Sequence, residues 1–100
     1  MNYYQHIGKF TAKAGKQDAL RDILLQAAQA LESNTDCQQY IVSTDTDSNT
    51  VWVTELWRDK ATHDVALTLA ETKALIQQAL PLIESMDRVA ELQTEGGKGL

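Results

Sequence analysis

Two tryptophans, a carboxylate, an arginine and a histidine lie in the single stretch Thr50–His63: Trp52, Glu55, Trp57, Arg58 and His63. The second histidine, His6, stands near the start of the chain, among Tyr3 and Tyr4. An imidazole with an ordinary pKa near 6.5 can accept a proton or donate a hydrogen bond at neutral pH. His63 is therefore the candidate base, and His6 could face the same cavity. Indole rings offer a large, stiff contact area, so Trp57 and Trp52 are candidate walls for a flat, apolar ligand. Tyr40 could add a phenolic hydrogen bond. Each residue also has an ordinary use. His63 would decorate a helix surface, His6 would be a satisfied interior histidine, and the tryptophans would fill a core and an interface. Glu55 has no second carboxylate at fixed spacing, which favours an ion pair with Arg58 over acid–base work.

The stretch Thr50–Arg58 reads as a strand running into a helix capped by Asp59. Strand side chains alternate between faces, so Trp52 and Trp57, five positions apart, point in opposite directions. Both faces of this strand need cover. Upstream, Tyr3–Lys13 reads as a strand with Tyr4, His6, Gly8 and Phe10 on one face. Ala14-Gly15-Lys16 is a turn. Leu20, Ile23, Leu24, Ala27, Ala28 and Leu31 recur at helical spacing over Gln17–Ser33. Gln38–Thr46 is a second strand, closed onto the third by the polar loop Asp45–Asn49. Helices are expected from Asp59 to about Leu69 and from Thr72 to about Leu82, with Pro81 ending or kinking the latter. Arg88–Thr94 completes the set as a strand.

The order strand, helix, strand, strand, helix, strand predicts an α+β fold, a ferredoxin-like βαββαβ sandwich with the first and third strands central. Helices would cover one sheet face. The other face would expose Ile7, Val53 or Leu56, and a face-to-face homodimer is the simplest cover. With 100 residues, the chain is expected to form one domain spanning 1–100.

Several function classes are disfavoured. The net charge is −5, and no Lys or Arg cluster offers a footing for nucleic acid or an anionic membrane surface. Cys37 is the sole cysteine, which excludes an internal disulfide and a thiolate metal cage. It suits a cytoplasmic setting. No signal pattern opens the chain, and no apolar run approaches the ~20 residues needed to span a bilayer. Gly96-Gly97-Lys98-Gly99 lacks the spacing of a phosphate loop, and there is no nucleophile elbow or dinucleotide fingerprint. Two histidines so far apart in sequence do not suggest a metal site. The expected chemistry uses no metal and no cofactor and leans on the substrate's own reactivity.

The chain resembles the antibiotic biosynthesis monooxygenase family. The resemblance rests on Gly8–Lys16, Gln39–Val42, Val51–Lys60, His63-Asp64, Ala79–Ile83 and Gly96–Leu100, nearly the whole chain. It implies a dimeric α+β barrel with a small-molecule pocket in each subunit. Members that oxidise aromatic polyketides or quinols use neither metal nor flavin: a deprotonated substrate reduces oxygen directly. Trp57 and His63 fall on the family's Glu-x-Trp and downstream histidine positions. Haem-degrading relatives carry a ligating histidine on the later helix, where this chain has Lys73–Gln78 and none. Relatives that handle phosphorylated sugars would need a cationic pocket, for which only Arg58 and Arg88 are placed. The resemblance thus implies a cofactor-independent monooxygenase of a small aromatic or quinol-type molecule, with molecular oxygen as co-substrate. The alternatives are an isomerase of a small oxygenated metabolite and a non-catalytic binding dimer.

Overall fold

The computed structural model describes residues 2–100. Its elements are β1 (Tyr3–Ala12), α1 (Gln17–Ala30), β2 (Cys37–Thr44), β3 (Thr50–Trp57), α2 (Lys60–Ala66), α3 (Ala70–Ala79) and β4 (Ile83–Thr94). The four strands form one antiparallel sheet in the order β2-β3-β1-β4. This is the predicted ferredoxin-like α+β arrangement, with β1 and β3 central.

The β1–β3 register decides which residues share a face. Tyr4 pairs with Trp57, His6 with Glu55, Gly8 with Val53 and Phe10 with Val51. These pairs face the helices. Gln5 with Leu56, Ile7 with Thr54 and Lys9 with Trp52 face away. The two tryptophans thus lie on opposite faces, as their spacing requires. Val53 does not belong with Ile7 and Leu56, where the sequence reading put it. It is three positions from Leu56, and an odd separation on a strand changes face. It is buried against α1 instead.

The apolar core lies under α1. Leu20 and Leu24 pack onto Val51, Val53, Ala12 and Ala79, with Phe10, Tyr40 and Val42 at the margin. Gly15 turns the chain from β1 into α1 at φ 75°, a conformation that a side chain would disfavour. The Gln17 side-chain amide donates to the carbonyls of Asp45, Ser48 and Thr50, tying the start of α1 to the β2–β3 loop.

Three boundaries differ from the expectation. Helix α1 stops at Ala30, because the backbone closes into tighter turns from Leu31 to Ala28 and from Glu32 to Gln29. The helix from Asp59 breaks after Ala66. Thr68 donates its hydroxyl to the Val65 carbonyl at 2.6 Å, a local bond that competes with helix continuation. Strand β4 begins at Ile83, directly after the turn that Pro81 enforces. Its first half, Ile83–Asp87, is an exposed edge that carries no apolar alternation to announce it. No helix is long and apolar enough to cross a membrane among the described residues.

Candidate functional site

The α2 end of the same sheet face is built differently. Where α1 covers hydrocarbon, α2 covers Tyr4, His6, Glu55 and Trp57. Asp59 caps α2: its carboxylate accepts from the Thr62 backbone N–H at 2.8 Å, and the Thr62 side chain accepts from the Asp59 N–H. That reciprocal cap fixes the start of the helix and delivers His63, only 5% exposed, onto the sheet.

Glu55 is the hub. Its Oε1 accepts from Trp57 Nε1–H at 3.0 Å and lies 3.8 Å from His63 Nε2. Its Oε2 lies 3.4 Å from His6 Nδ1. The two imidazoles stack, with centroids 5.0 Å apart and planes at 24°. Trp57, 1% exposed, meets His63 edge-on at 5.7 Å, and Tyr4 tilts against His63 at 5.4 Å. The other nitrogen of His63, Nδ1, is 2.9 Å from Asp64 Oδ1. When Nδ1 carries the proton, Nε2 presents its lone pair inward. His6 Nδ1 is buried and has no hydrogen-bond partner, because Glu55 lies out of line despite the short distance.

Burial pushes the pKa of His6 down, against the opposing pull of Glu55. Asp64 is held below the usual carboxylate range by its bonds to Lys60 and then His63. At the rim, Tyr4 donates to Glu91 at 2.6 Å. Burial and that carboxylate raise the phenol's pKa, while the same bond lowers that of Glu91. Beyond Tyr4 an open hollow of about 390 Å³ is lined by Tyr4, Arg58, Asp59, Lys60, Glu91 and Gln93, among others.

The sequence candidates therefore separate. His63, Trp57 and His6 come together. Tyr40 pairs with Glu55 across β2 and β3, and it also lines a second hollow with Cys37 and Leu25. Burial, then Glu55, raises the Tyr40 phenol. Trp52 lies on the far face, beneath Lys9 Nζ at 5.6 Å from its ring. Glu55 does not pair with Arg58, which binds Asp36 and Asp59. Its place as hub was missed. Tyr4/His6 and Glu55/Trp57 are each two apart on a strand, so each pair had to share a face. Only the register shows that the two pairs meet. The separation of the histidines in sequence was likewise a poor guide, since ligand atoms of His6, Glu55 and His63 all lie within 4.8 Å of one another.

The comparisons with known proteins settle the family. The model for antibiotic biosynthesis monooxygenase matches residues 4–78. The chain belongs to the antibiotic biosynthesis monooxygenase family. A structure from Chloroflexus aurantiacus, titled "putative Antibiotic biosynthesis monooxygenase", is 34% identical with a TM-score of 0.86, over 97% of both chains. A similarly titled protein from Deinococcus radiodurans is 23% identical, with a TM-score of 0.76 over 97% of this chain and 95% of that one, and shares the fold. No curated protein matches the sequence. The chain carries a cluster of His6, Glu55, His63 and Trp57 packed against Tyr4, and Tyr4 also lines the open hollow, which the four cluster residues do not.

Proposed function

We propose that this chain is a cofactor-independent monooxygenase acting on a small phenolic or quinol-type molecule, with His63 as the base. The observation that supports it is the inward-facing His63 Nε2, oriented through Nδ1 by Asp64 and backed by Glu55. This is the base-and-orienter arrangement that proton abstraction needs. The substrate would enter from the Tyr4 hollow and displace Tyr4 from its tilted contact. His63 takes the hydroxyl proton, and Glu55 stabilises the imidazolium. The resulting electron-rich anion reduces oxygen. One oxygen atom enters the ring and the other leaves as water, so a quinol and O2 give a hydroxyquinone and H2O. Trp57 walls the inner end and keeps water out.

The reading includes a cytoplasmic homodimer. On the face away from the helices, Ile41 and Leu92 are each 48% exposed, and Ile7 and Trp52 are half-buried. A second copy would cover that apolar surface.

Oxygen uptake against a panel of quinols, in metal-chelated buffer, tests the reaction. The expected result is uptake with at least one quinol, and a loss of about 100-fold or more in His63→Ala, as for a general base. Turnover without oxygen consumption would indicate an isomerase. Saturable binding that survives His63→Ala, with no reaction, would indicate a binding dimer. Sedimentation of the pure chain as a monomer would remove the dimer.

A further inference from the structure

We propose that His6, Glu55 and His63 form a binding site for one divalent first-row transition-metal ion, a property beyond the oxygenase reading. The donor set is two imidazole nitrogens and a carboxylate, carried by β1, α2 and β3. Such a set suits Zn²⁺, Co²⁺ or Fe²⁺ and is a poor match for Mg²⁺ or Ca²⁺, which prefer all-oxygen shells.

The cluster lacks a positive partner. Glu55 Oε1 already accepts from Trp57, so its approach to His63 Nε2 sets two acceptors against each other whenever Asp64 holds the proton on Nδ1. Glu55 Oε2 faces His6 Nδ1, which is buried and unpaired. Among the described residues, no Lys or Arg forms an ion pair with Glu55: Arg58 is engaged by Asp36 and Asp59, and Arg88 by Glu91. One cation between the three groups would satisfy all of them.

The distances are close to what an ion demands. Ligands at about 2.1 Å around a tetrahedral centre stand roughly 3.4 Å apart. His6 Nδ1 stands 3.4 Å from Glu55 Oε2 and His63 Nε2 3.8 Å from Oε1, so the carboxylate presents one oxygen to each imidazole, and with one ligand atom taken from each residue the three lie within 4.8 Å of one another. The outer groups are also in place. Asp64 holds the distal nitrogen of His63, and Trp57 orients Glu55, the kind of support that metal ligands ordinarily receive. The two rings are stacked at 24°, so both lone pairs cannot meet one ion in the plane of each ring. Loading requires one imidazole to rotate, and His6, with no bond on Nδ1, is the one free to do so.

Loading would occupy the lone pair that the proposed reaction uses, so the test reads binding rather than turnover. The full chain, stripped with chelator, is titrated with Co²⁺ while its visible d–d absorption is followed, then challenged with Zn²⁺ and with Mg²⁺. The expected result is one Co²⁺ per chain, displaced by Zn²⁺ and not by Mg²⁺. His6→Ala and Glu55→Gln should each weaken binding by about tenfold or more. X-ray absorption on the zinc-loaded wild-type chain should show imidazole scattering, which keeps the test independent of how the variants fold. Absence of saturable binding, undiminished affinity in both variants, or a zinc shell without imidazole would overturn the site. Oxygen uptake by the metal-free chain would support the oxygenase reading and leave this result untouched. Uptake that appears only after metal loading would remove the cofactor-free reading while retaining the site.

Discussion

The same two central strands, on the same face of the sheet, make two kinds of interior. At the α1 end, Val51, Val53, Leu20 and Leu24 form a hydrocarbon core. Two residues further along β3, Glu55 begins a polar cluster with two histidines and the indole of Trp57. The β1–β3 pairing runs through both ends without interruption, although β4 shifts register beside Ile7/Gly8 and β2 beside Cys37/Gln39. The difference is side-chain chemistry and the length of the covering helix. Helix α1 spans Gln17–Ala30, and α2 only Lys60–Ala66. The long helix buries an apolar stripe, which is where the stability of this domain is expected to reside. The short helix buries an imidazole and depends on its cap. One end is a hydrocarbon core, the other a polar cluster on which the proposed chemistry draws.

The sharpest way to break this contrast is to damage the core. Leu20 is fully buried. Leu20→Ala should destabilise the chain by about 2–5 kcal/mol, from lost transfer energy plus a residual cavity. Urea denaturation would measure it, and a loss under about 1 kcal/mol would mean that α1 does not anchor the fold. The opposite result is expected at the polar end. Replacing His6, Glu55 and His63 together, as His6→Leu, Glu55→Gln and His63→Leu, removes the ionisable groups and keeps a side-chain oxygen to accept from Trp57 Nε1–H. Buried ionic groups replaced by well-packed apolar ones are often neutral, or stabilising by about 1–4 kcal/mol. The triple variant should therefore be at least as stable as the parent while losing both oxygen uptake and metal binding. A large destabilisation would show that the cluster holds the fold together, and the contrast between the two ends would fail.

The two ends were unequally legible in the sequence. The helical half of the core followed from periodicity: Leu20 and Leu24 mark α1 without any knowledge of neighbours, whereas Val53, which shares the core face with Val51, was expected on the opposite one. The N-cap at Asp59 and the opposed tryptophans were readable for the same reason, since each depends only on local geometry. The cluster was half readable. His63 and Trp57 stood out by type and by family resemblance, and His6 by sharing a face with Tyr4. Glu55 was assigned to Arg58, a near neighbour in sequence. The pairing that places it between two histidines comes from the register of β1 on β3, and that register is fixed by the whole sheet. The early start of β4 was hidden because an exposed edge strand needs no apolar alternation.

The smallest expected effect concerns the cap that presents His63. Asp59→Ala removes the acceptor for the Thr62 backbone N–H and should lower the melting midpoint by a few degrees, read by circular dichroism. The sign with pH follows from the same bond. The Thr62 N–H holds the Asp59 carboxyl below its ordinary value of 3.8. The folded state therefore favours the ionised form, and the cap's contribution is fully present above the unfolded pKa. It fades as pH falls through the lower, folded value. The gap between parent and Asp59→Ala should be constant from pH 7 to about pH 5 and narrow on further acidification. Asp59 also touches Arg58 at 3.6 Å, so Arg58→Gln provides the control. An exposed ion pair of this kind contributes little. Arg58 also pairs with Asp36 at 3.2 Å, so the contact at Asp59 is electrostatic rather than a helix cap if Arg58→Gln lowers the midpoint as much as Asp59→Ala does and Asp36→Asn does not. The polar end would then be held by surface charge, and His63 would lose the rigid seat on which the contrast between the two ends rests.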